Sequence, residues 1–214
     1  MAVIAPCITV ETVEAFQESI DRIKPFATRV HVDLSDGEFA PTFLVTPDEV
    51  TWPPQWQVDI HAMVMRPSEH LPKLIAMKPQ LIVIHAESAE NTVVHLQNIK
   101  QAGIKAGVAL LRTTVPSTVS DAIKEADHVM IFSGDLGYYG GKASLMQVEK
   151  IRLVKAINPK VEIGWDGGVN IDNAFMLSQS GVDVLNTGGA IAKSNDPAAT
   201  FAQLTREINK HGVI

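Results

Sequence analysis

The sequence predicts a single α/β domain over residues 1–214, folded as a (β/α)8 TIM barrel. Two observations carry that prediction. Short apolar runs rich in Val and Ile recur eight times, and most are followed by a segment with the apolar spacing of a helix. Strands that alternate with helices pair in parallel through right-handed crossovers. Eight such units in 214 residues fit a closed barrel better than a doubly wound sheet.

Each predicted strand is an apolar run of five to eight residues. The strands are expected at 3–8, 28–34, 57–64, 80–85, 105–110, 127–132, 161–165 and 182–186. No change of composition, low-complexity tract or long linker separates them, so a second domain is not expected.

The predicted helices fill the gaps between these strands. They are expected at 11–24, 68–77, 88–102, 116–125, 144–157, 171–180 and 196–210. Asp196-Pro197 marks one helix start, because Asp is a good N-cap and Pro fits the first helical turn. The weakest unit is 47–56, where Trp52-Pro53-Pro54 leaves room for about one helical turn.

Composition limits the class of protein. The net charge of −6 argues against nucleic acid as a partner, since phosphate backbones require clustered Lys and Arg. Cys7 is the only cysteine, so the chain has no internal disulfide and a reducing compartment is expected. The N-terminus carries no basic leader and no apolar run approaches the roughly 18 residues of a membrane span. We therefore expect a cytoplasmic protein without a membrane partner.

Acidic and imidazole side chains follow the predicted strands. His31 and Asp33 end the second strand, His61 ends the third and Asp166 ends the seventh. Chemistry in such barrels lies at the carboxyl ends of the strands. Residues two apart in a strand share a face, so His31 and Asp33 point the same way, into the barrel. Two imidazoles and two carboxylates suit Zn²⁺, Fe²⁺, Mn²⁺ or Co²⁺, so one divalent metal ion is expected here.

Other polar residues receive different interpretations. Asp59 shares a face with His61 but lies deeper, where it can orient a ligand. His85 ends the fourth strand at the same rim. The remaining histidines are expected to be solvent-facing or packing residues: His70, His95, His128 and His211.

Glycines follow the last three strands. The positions expected at a phosphate site are Gly140, Gly141, Gly167, Gly168, Gly188 and Gly189. Barrels often bind phosphate with the loops after strands 7 and 8 and with a helix N-terminus. Glycine lets backbone amides approach the phosphate oxygens without an intervening Cβ. The expected partner is therefore a small phosphorylated molecule.

The chain resembles the ribulose-phosphate 3-epimerase family almost from end to end. His31-Val32-Asp33-Leu34-Ser35-Asp36-Gly37 matches that family's His-x-Asp-x-x-Asp-Gly signature, and Asp59-Ile60-His61-Ala62-Met63-Val64 resembles its Asp-Val-His-Leu-Met-Val. Further matches are Ile4-Ala5-Pro6, Phe39-Ala40-Pro41, His85-Ala86-Glu87 and Asp166-Gly167-Gly168-Val169.

The resemblance implies that His31, Asp33, His61 and Asp166 hold the metal, with Asp33 and Asp166 also acting as the catalytic acid and base. The implied reaction inverts carbon 3 of a ketose phosphate, interconverting D-ribulose 5-phosphate and D-xylulose 5-phosphate through an enediolate. His61 and Cys7 are expected to contact the substrate. We also expect a homo-oligomer.

Several positions depart from the family pattern. Cys7 stands where the family has a substrate-contacting Ser, Ser35 replaces a Met, Thr42 an Asn, and Gly189 a Ser. Asp135-Leu136-Gly137-Tyr138-Tyr139-Gly140-Gly141-Lys142 lacks the Pro of the corresponding loop and is one residue longer. Two alternatives stay open: an epimerase of a six-carbon ketose phosphate such as allulose 6-phosphate, and a non-catalytic sugar-phosphate-binding protein. A related decarboxylase is disfavoured, because that branch resembles Asp-x-Lys-x-x-Asp where this chain has Asp59-Ile60-His61.

Overall fold

Eight parallel strands close into a barrel in the computed structural model, which describes residues 2–139 and 141–210. Each strand pairs with the next along the chain, and the last pairs with the first. The strands are β1 Val3–Ile8, β2 Arg29–Ser35, β3 Gln57–Met63, β4 Leu81–His85, β5 Lys105–Leu110, β6 His128–Phe132, β7 Glu162–Asp166 and β8 Val184–Thr187. The predicted (β/α)8 barrel is confirmed.

The helices lie between consecutive strands and after the last one. They are α1 Val13–Ile23, α2 Pro67–Ala76, α3 Thr92–Gln101, α4 Ser120–Glu125, α5 Glu149–Ile157, α6 Ile171–Gln179, α7 Gly189–Ala192 and α8 Pro197–Ile208. Among the residues that the structure describes, no helix is long and apolar enough to cross a membrane.

The helix boundaries differ more from prediction than the strand boundaries do. The helix expected at 88–102 begins at Thr92, because Asn91 rather than Ser88 accepts hydrogen bonds from the first-turn amides. Short 3-10 turns precede α4 and α5. The segment 47–56 forms no helix, since two consecutive prolines lack the amide donors that a helical turn needs. Asp196 caps α8 as predicted, accepting from the Ala199 amide.

Strand alternation positions the functional side chains. Val30, Val32 and Leu34 of β2 join the core between the barrel and its helices. His31 and Asp33 alternate with them, so they face the barrel interior. Asp33 of β2 is paired in register with His61 of β3, which brings these two side chains next to each other.

An ion network fills the amino-terminal end of the barrel. Arg29 forms two hydrogen bonds with Glu162, at 2.9 and 2.8 Å, and a third with Asp59 at 2.6 Å. His128 Nδ1 lies 2.7 Å from Glu162 Oε2. Asp59 was predicted to orient a ligand of the expected metal, but its hydrogen bond goes to Arg29 because its side chain lies one layer below His61. The network belongs to the framework of the barrel.

Candidate active site

Side chains from three strands converge at the carboxyl end of the barrel. His31, Asp33, His61 and Asp166 each offer one ligand atom, and these atoms lie within 4.8 Å of one another. Asp33 Oδ1 is 2.7 Å from His61 Nδ1 and 3.2 Å from His31 Nε2. Asp166 Oδ2 is 3.7 Å from His31 Nε2 and 3.8 Å from His61 Nδ1. The structure therefore brings together the four residues that the sequence selected.

These residues fit a divalent metal ion. All four are buried, and His31 Nε2 makes no hydrogen bond although it is shielded from solvent. A buried nitrogen without a partner is costly, and a cation among these atoms would satisfy it. Two imidazole nitrogens and two carboxylates are ligands typical of Zn²⁺, Fe²⁺, Mn²⁺ and Co²⁺.

The two carboxyl groups have different electrostatic surroundings. Burial alone would raise the pKa of Asp33, but the adjacent His31 and His61 rings outweigh burial and hold that pKa well below its ordinary value. For Asp166, burial and the charge of Asp33 both raise the pKa. Two acids whose pKa values are driven apart are suited to opposite roles in proton transfer.

A third contact holds the second oxygen of Asp33. Thr9, just after β1, donates its hydroxyl to Asp33 Oδ2 at 2.5 Å. Sequence reasoning missed this residue, because Thr9 follows a strand remote in the chain and carries no local signal of its contact. The two oxygens of Asp33 therefore have separate partners.

The far side of His61 is also hydrogen bonded. His61 Nε2 lies 2.8 Å from His85 Nε2, and His85 Nδ1 lies 3.3 Å from Glu87 Oε2. Burial lowers the pKa of His85 to about 4, so that ring is neutral at pH 7. Glu87 in turn accepts from the Leu111 amide at 2.9 Å.

A cavity of about 200 Å³ lies above the cluster. Of the predicted substrate or phosphate residues, its wall contains Cys7, Gly141, Gly167, Gly168, Gly188 and Gly189, together with Asp33 and Asp166. His61 is fully buried below this wall. The predicted Gly140 lies outside the described residues. The wall also includes residues that the sequence interpretation did not select, among them Thr9, Tyr139, Asn186 and Lys193.

Glycines of the β7 turn have a packing requirement of their own. Gly167 and Gly168 have φ values of +101° and +74°, a region that other residues rarely adopt. A Cβ on Gly167 would lie 2.0 Å from the Gly134 nitrogen, and one on Gly168 would lie 2.1 Å from the Ala143 nitrogen. Both glycines let Gly134 and Ala143, which follow β6 in the chain, pack directly on the end of β7.

Residues 133–139, called here the segment after β6, also reach β1 beside the cavity. Tyr139 donates its hydroxyl to the Cys7 carbonyl at 3.1 Å and accepts from the Thr9 amide at 2.7 Å. Its ring lies so close to Gly188 that a Cβ there would come within 2.8 Å. Tyr139 therefore anchors this segment to the residues that follow β1 and β8 at the edge of the cavity.

Comparisons with known proteins agree with the geometry. A model of the Ribulose-phosphate 3 epimerase family matches residues 3–192. Ribulose-phosphate 3-epimerase from Helicobacter pylori is 35% identical over 174 residues, covering 78% of this chain and 80% of that protein. The protein of the same description from Aquifex aeolicus is 29% identical over 212 residues, covering 95% and 96%. The crystal structure of 3-keto-L-gulonate-6-phosphate decarboxylase from Vibrio cholerae superposes with a TM-score of 0.73 and 10% identity over 97% of each chain, which shows a shared fold.

Proposed function

Because the chain belongs to the ribulose-phosphate 3-epimerase family and is an isomerase of carbohydrate phosphates, we propose that it inverts carbon 3 of D-ribulose 5-phosphate and D-xylulose 5-phosphate. The observation that carries the proposal is the pair Asp33 and Asp166. Both line one cavity from different strands, and their pKa values are driven in opposite directions.

The two carboxyl groups divide the proton transfers. Inversion requires a base on one face of the carbon and an acid on the other. For one epimer, ionised Asp33 removes the carbon 3 proton to give an enediolate, and protonated Asp166 delivers a proton to the opposite face. The other epimer uses the same residues in reversed roles.

His31, Asp33, His61 and Asp166 would hold the metal ion of this enzyme, either Zn²⁺, Fe²⁺, Mn²⁺ or Co²⁺. Its positive charge would offset the negative charge that develops on the substrate oxygens. His31 and His61 leave the proton transfers to the carboxyl groups, because both imidazoles are buried below the cavity wall.

The phosphate group would bind where the loops after β7 and β8 line the cavity. Gly168, Gly188 and Gly189 present backbone there, and Lys193 contributes a positive charge to the same wall. Backbone amides next to glycine approach phosphate oxygens closely, which supports recognition of a monophosphate ester. Cys7 faces the same cavity and would contact the sugar.

The experiment is an exchange assay on a panel of substrates. The purified protein is loaded separately with Zn²⁺, Fe²⁺, Mn²⁺ and Co²⁺ and incubated in deuterium oxide with ribulose 5-phosphate, xylulose 5-phosphate or allulose 6-phosphate. We expect deuterium at carbon 3 and inversion of both pentulose phosphates. Preferential turnover of allulose 6-phosphate would instead support the six-carbon alternative. Binding without exchange of any ketose phosphate would support the sugar-phosphate-binding alternative.

The cellular form of the enzyme is a separate expectation. A cytoplasmic location agrees with the reducing conditions that the lone Cys7 suggests, and we propose in addition that the enzyme is a homo-oligomer. Fractionation and analytical ultracentrifugation of the full chain check the two parts of this expectation independently.

A further inference from the structure

We propose that Thr9 is a positioning residue, which aligns the proton-transferring oxygen of Asp33 and connects that alignment to Tyr139. The inference rests on the proposed function. It begins with the unequal surroundings of the two Asp33 oxygens. Oδ1 faces His31 and His61 at 3.2 and 2.7 Å, whereas Oδ2 accepts the Thr9 hydroxyl at 2.5 Å.

The two oxygens of Asp33 therefore have different roles. Oδ1 lies among the ligand atoms, so Oδ2 is the oxygen that remains for proton transfer. With its hydrogen bond on Oδ2 removed, the carboxyl group would be held through Oδ1 alone, and Oδ2 would be less precisely placed. Because proton transfer needs a fixed distance and direction, this imprecision slows the reaction without altering the affinity for substrate.

Thr9 is itself fixed by the segment that covers the cavity. Its backbone amide donates to the Tyr139 hydroxyl at 2.7 Å, and that hydroxyl donates to the Cys7 carbonyl at 3.1 Å. Burial raises the pKa of Tyr139, which keeps the hydroxyl protonated and able to make both bonds. The side chain and the amide of one residue thus join Asp33 to Tyr139.

The consequence is that the position of Tyr139 and the alignment of Asp33 depend on each other. While Tyr139 is seated between β1 and Gly188, the Thr9 backbone is held and its hydroxyl points at Asp33. When this tyrosine leaves, Thr9 loses its amide partner and its hydroxyl is less confined.

Three substitutions separate the parts of this arrangement. Thr9→Val keeps the shape and the amide but loses the hydroxyl, and Thr9→Ser keeps both donors. Tyr139→Phe keeps the ring against Gly188 but loses both hydrogen bonds. In metal-loaded protein we expect Thr9→Val to lower kcat about 10- to 100-fold with KM changed less than about threefold, and Thr9→Ser to restore most of the loss.

Deuterium exchange in variants that keep only one of the two catalytic carboxylates tests whether Thr9 acts through Asp33. In Asp166→Asn protein, which retains Asp33 as the base, adding Thr9→Val should slow deuterium exchange by about tenfold or more. In Asp33→Asn protein, which retains Asp166, the same addition should leave exchange unchanged. Equal slowing in both backgrounds, or slowing in neither, overturns the assignment of Thr9 to Asp33.

The connection to Tyr139 has its own test. If both residues act on one alignment, the loss of kcat in the Thr9→Val/Tyr139→Phe double variant is smaller than the product of the single losses. A loss equal to the product would overturn the connection.

A spectroscopic measurement keeps the inference separate from the proposed function. Bound Co²⁺ reports how Asp33 is held, so we expect Thr9→Val to change its visible absorption spectrum and Thr9→Ser to match the wild type. If no ketose phosphate is turned over by the wild type, the proposed function fails, while the spectra still decide the role of Thr9. An unchanged spectrum in Thr9→Val, alongside unchanged exchange, overturns that role.

Discussion

His61 Nε2 and His85 Nε2 lie 2.8 Å apart, so one imidazole must donate and the other must accept. The opposite nitrogen of His61 faces Asp33 and the ligand atoms, where an unprotonated Nδ1 is needed. With a metal ion on Nδ1, His61 would donate from Nε2, and neutral His85 would accept there and donate from Nδ1 towards Glu87. This chain of contacts sets the tautomer of His61.

We predict that His85→Leu weakens metal binding about 10- to 100-fold, because the buried Nε2 proton of His61 is left without an acceptor. Competition with a chelating dye measures the affinity. His95→Gln is the control, since this buried histidine contacts Glu90 and lies outside the ligand cluster. Equal affinities in His85→Leu and wild type would contradict the assigned tautomer.

The acid–base pair gives a second prediction. Asp33→Asn and Asp166→Asn should each abolish epimerisation, because either carboxamide has the shape of the acid without its basicity. Each change also removes a metal ligand, so metal content is measured in both variants. In metal-loaded protein, one variant should exchange solvent deuterium into one epimer and its counterpart into the other. Full epimerase activity in either variant would exclude the two-base mechanism.

A third prediction concerns stability at the amino-terminal end of the barrel. Burial would raise the pKa of Glu162, but hydrogen bonds from Arg29 and His128 outweigh it and hold that pKa well below its ordinary value of 4.5. An acid with a lowered folded pKa contributes stability that is present above its unfolded pKa and is lost as pH falls through the folded one. Glu162→Gln should therefore lower the free energy of unfolding at pH 7 by about 2 kcal/mol.

The pH dependence distinguishes this electrostatic contribution from a nonspecific loss of stability in the variant. In urea unfolding, the difference between wild type and Glu162→Gln should shrink as the pH is lowered from 4.5 towards 2. Glu149→Gln removes an exposed ion pair with Arg152 and should change stability little at any pH. A difference that widens in acid would contradict the role assigned to Glu162.

The fourth prediction addresses the phosphate. Lys193→Gln should raise KM about twofold to fivefold and leave kcat unchanged, because an exposed charge attracts phosphate by about 1 kcal/mol or less. Added salt should shrink this difference by screening the charge. Lys124→Gln, which removes an exposed pair with Asp121 on α4, is the matched control. A fall in kcat with unchanged KM would place Lys193 outside phosphate recognition.

Strand periodicity made much of the site predictable. The alternation of His31 and Asp33 with Val30, Val32 and Leu34 places the two polar residues on one face, and the predicted barrel makes that the inner face. Contacts made by loops had no comparable signal. Thr9 and Tyr139 are 130 residues apart, and their hydrogen bond depends on how the segment after β6 folds back over the barrel. The partner of Asp59 was also not predicted, because the sequence pattern does not show that Arg29 of the neighbouring strand β2 reaches this carboxylate.

The position of Cys7 provides an internal reporter of cavity occupancy. It is the only cysteine in the chain, and it lines the cavity while being only 7% exposed. Burial and the nearby charges of Asp166 and Asp33 raise the pKa of its thiol, so the reactive thiolate is scarce at pH 7. The rate of alkylation of the unmodified protein therefore reports access to this thiol, and a bound sugar phosphate should protect it in proportion to its occupancy. The departure from Ser at this position thus gives a readout of ligand binding that needs no attached label and no turnover.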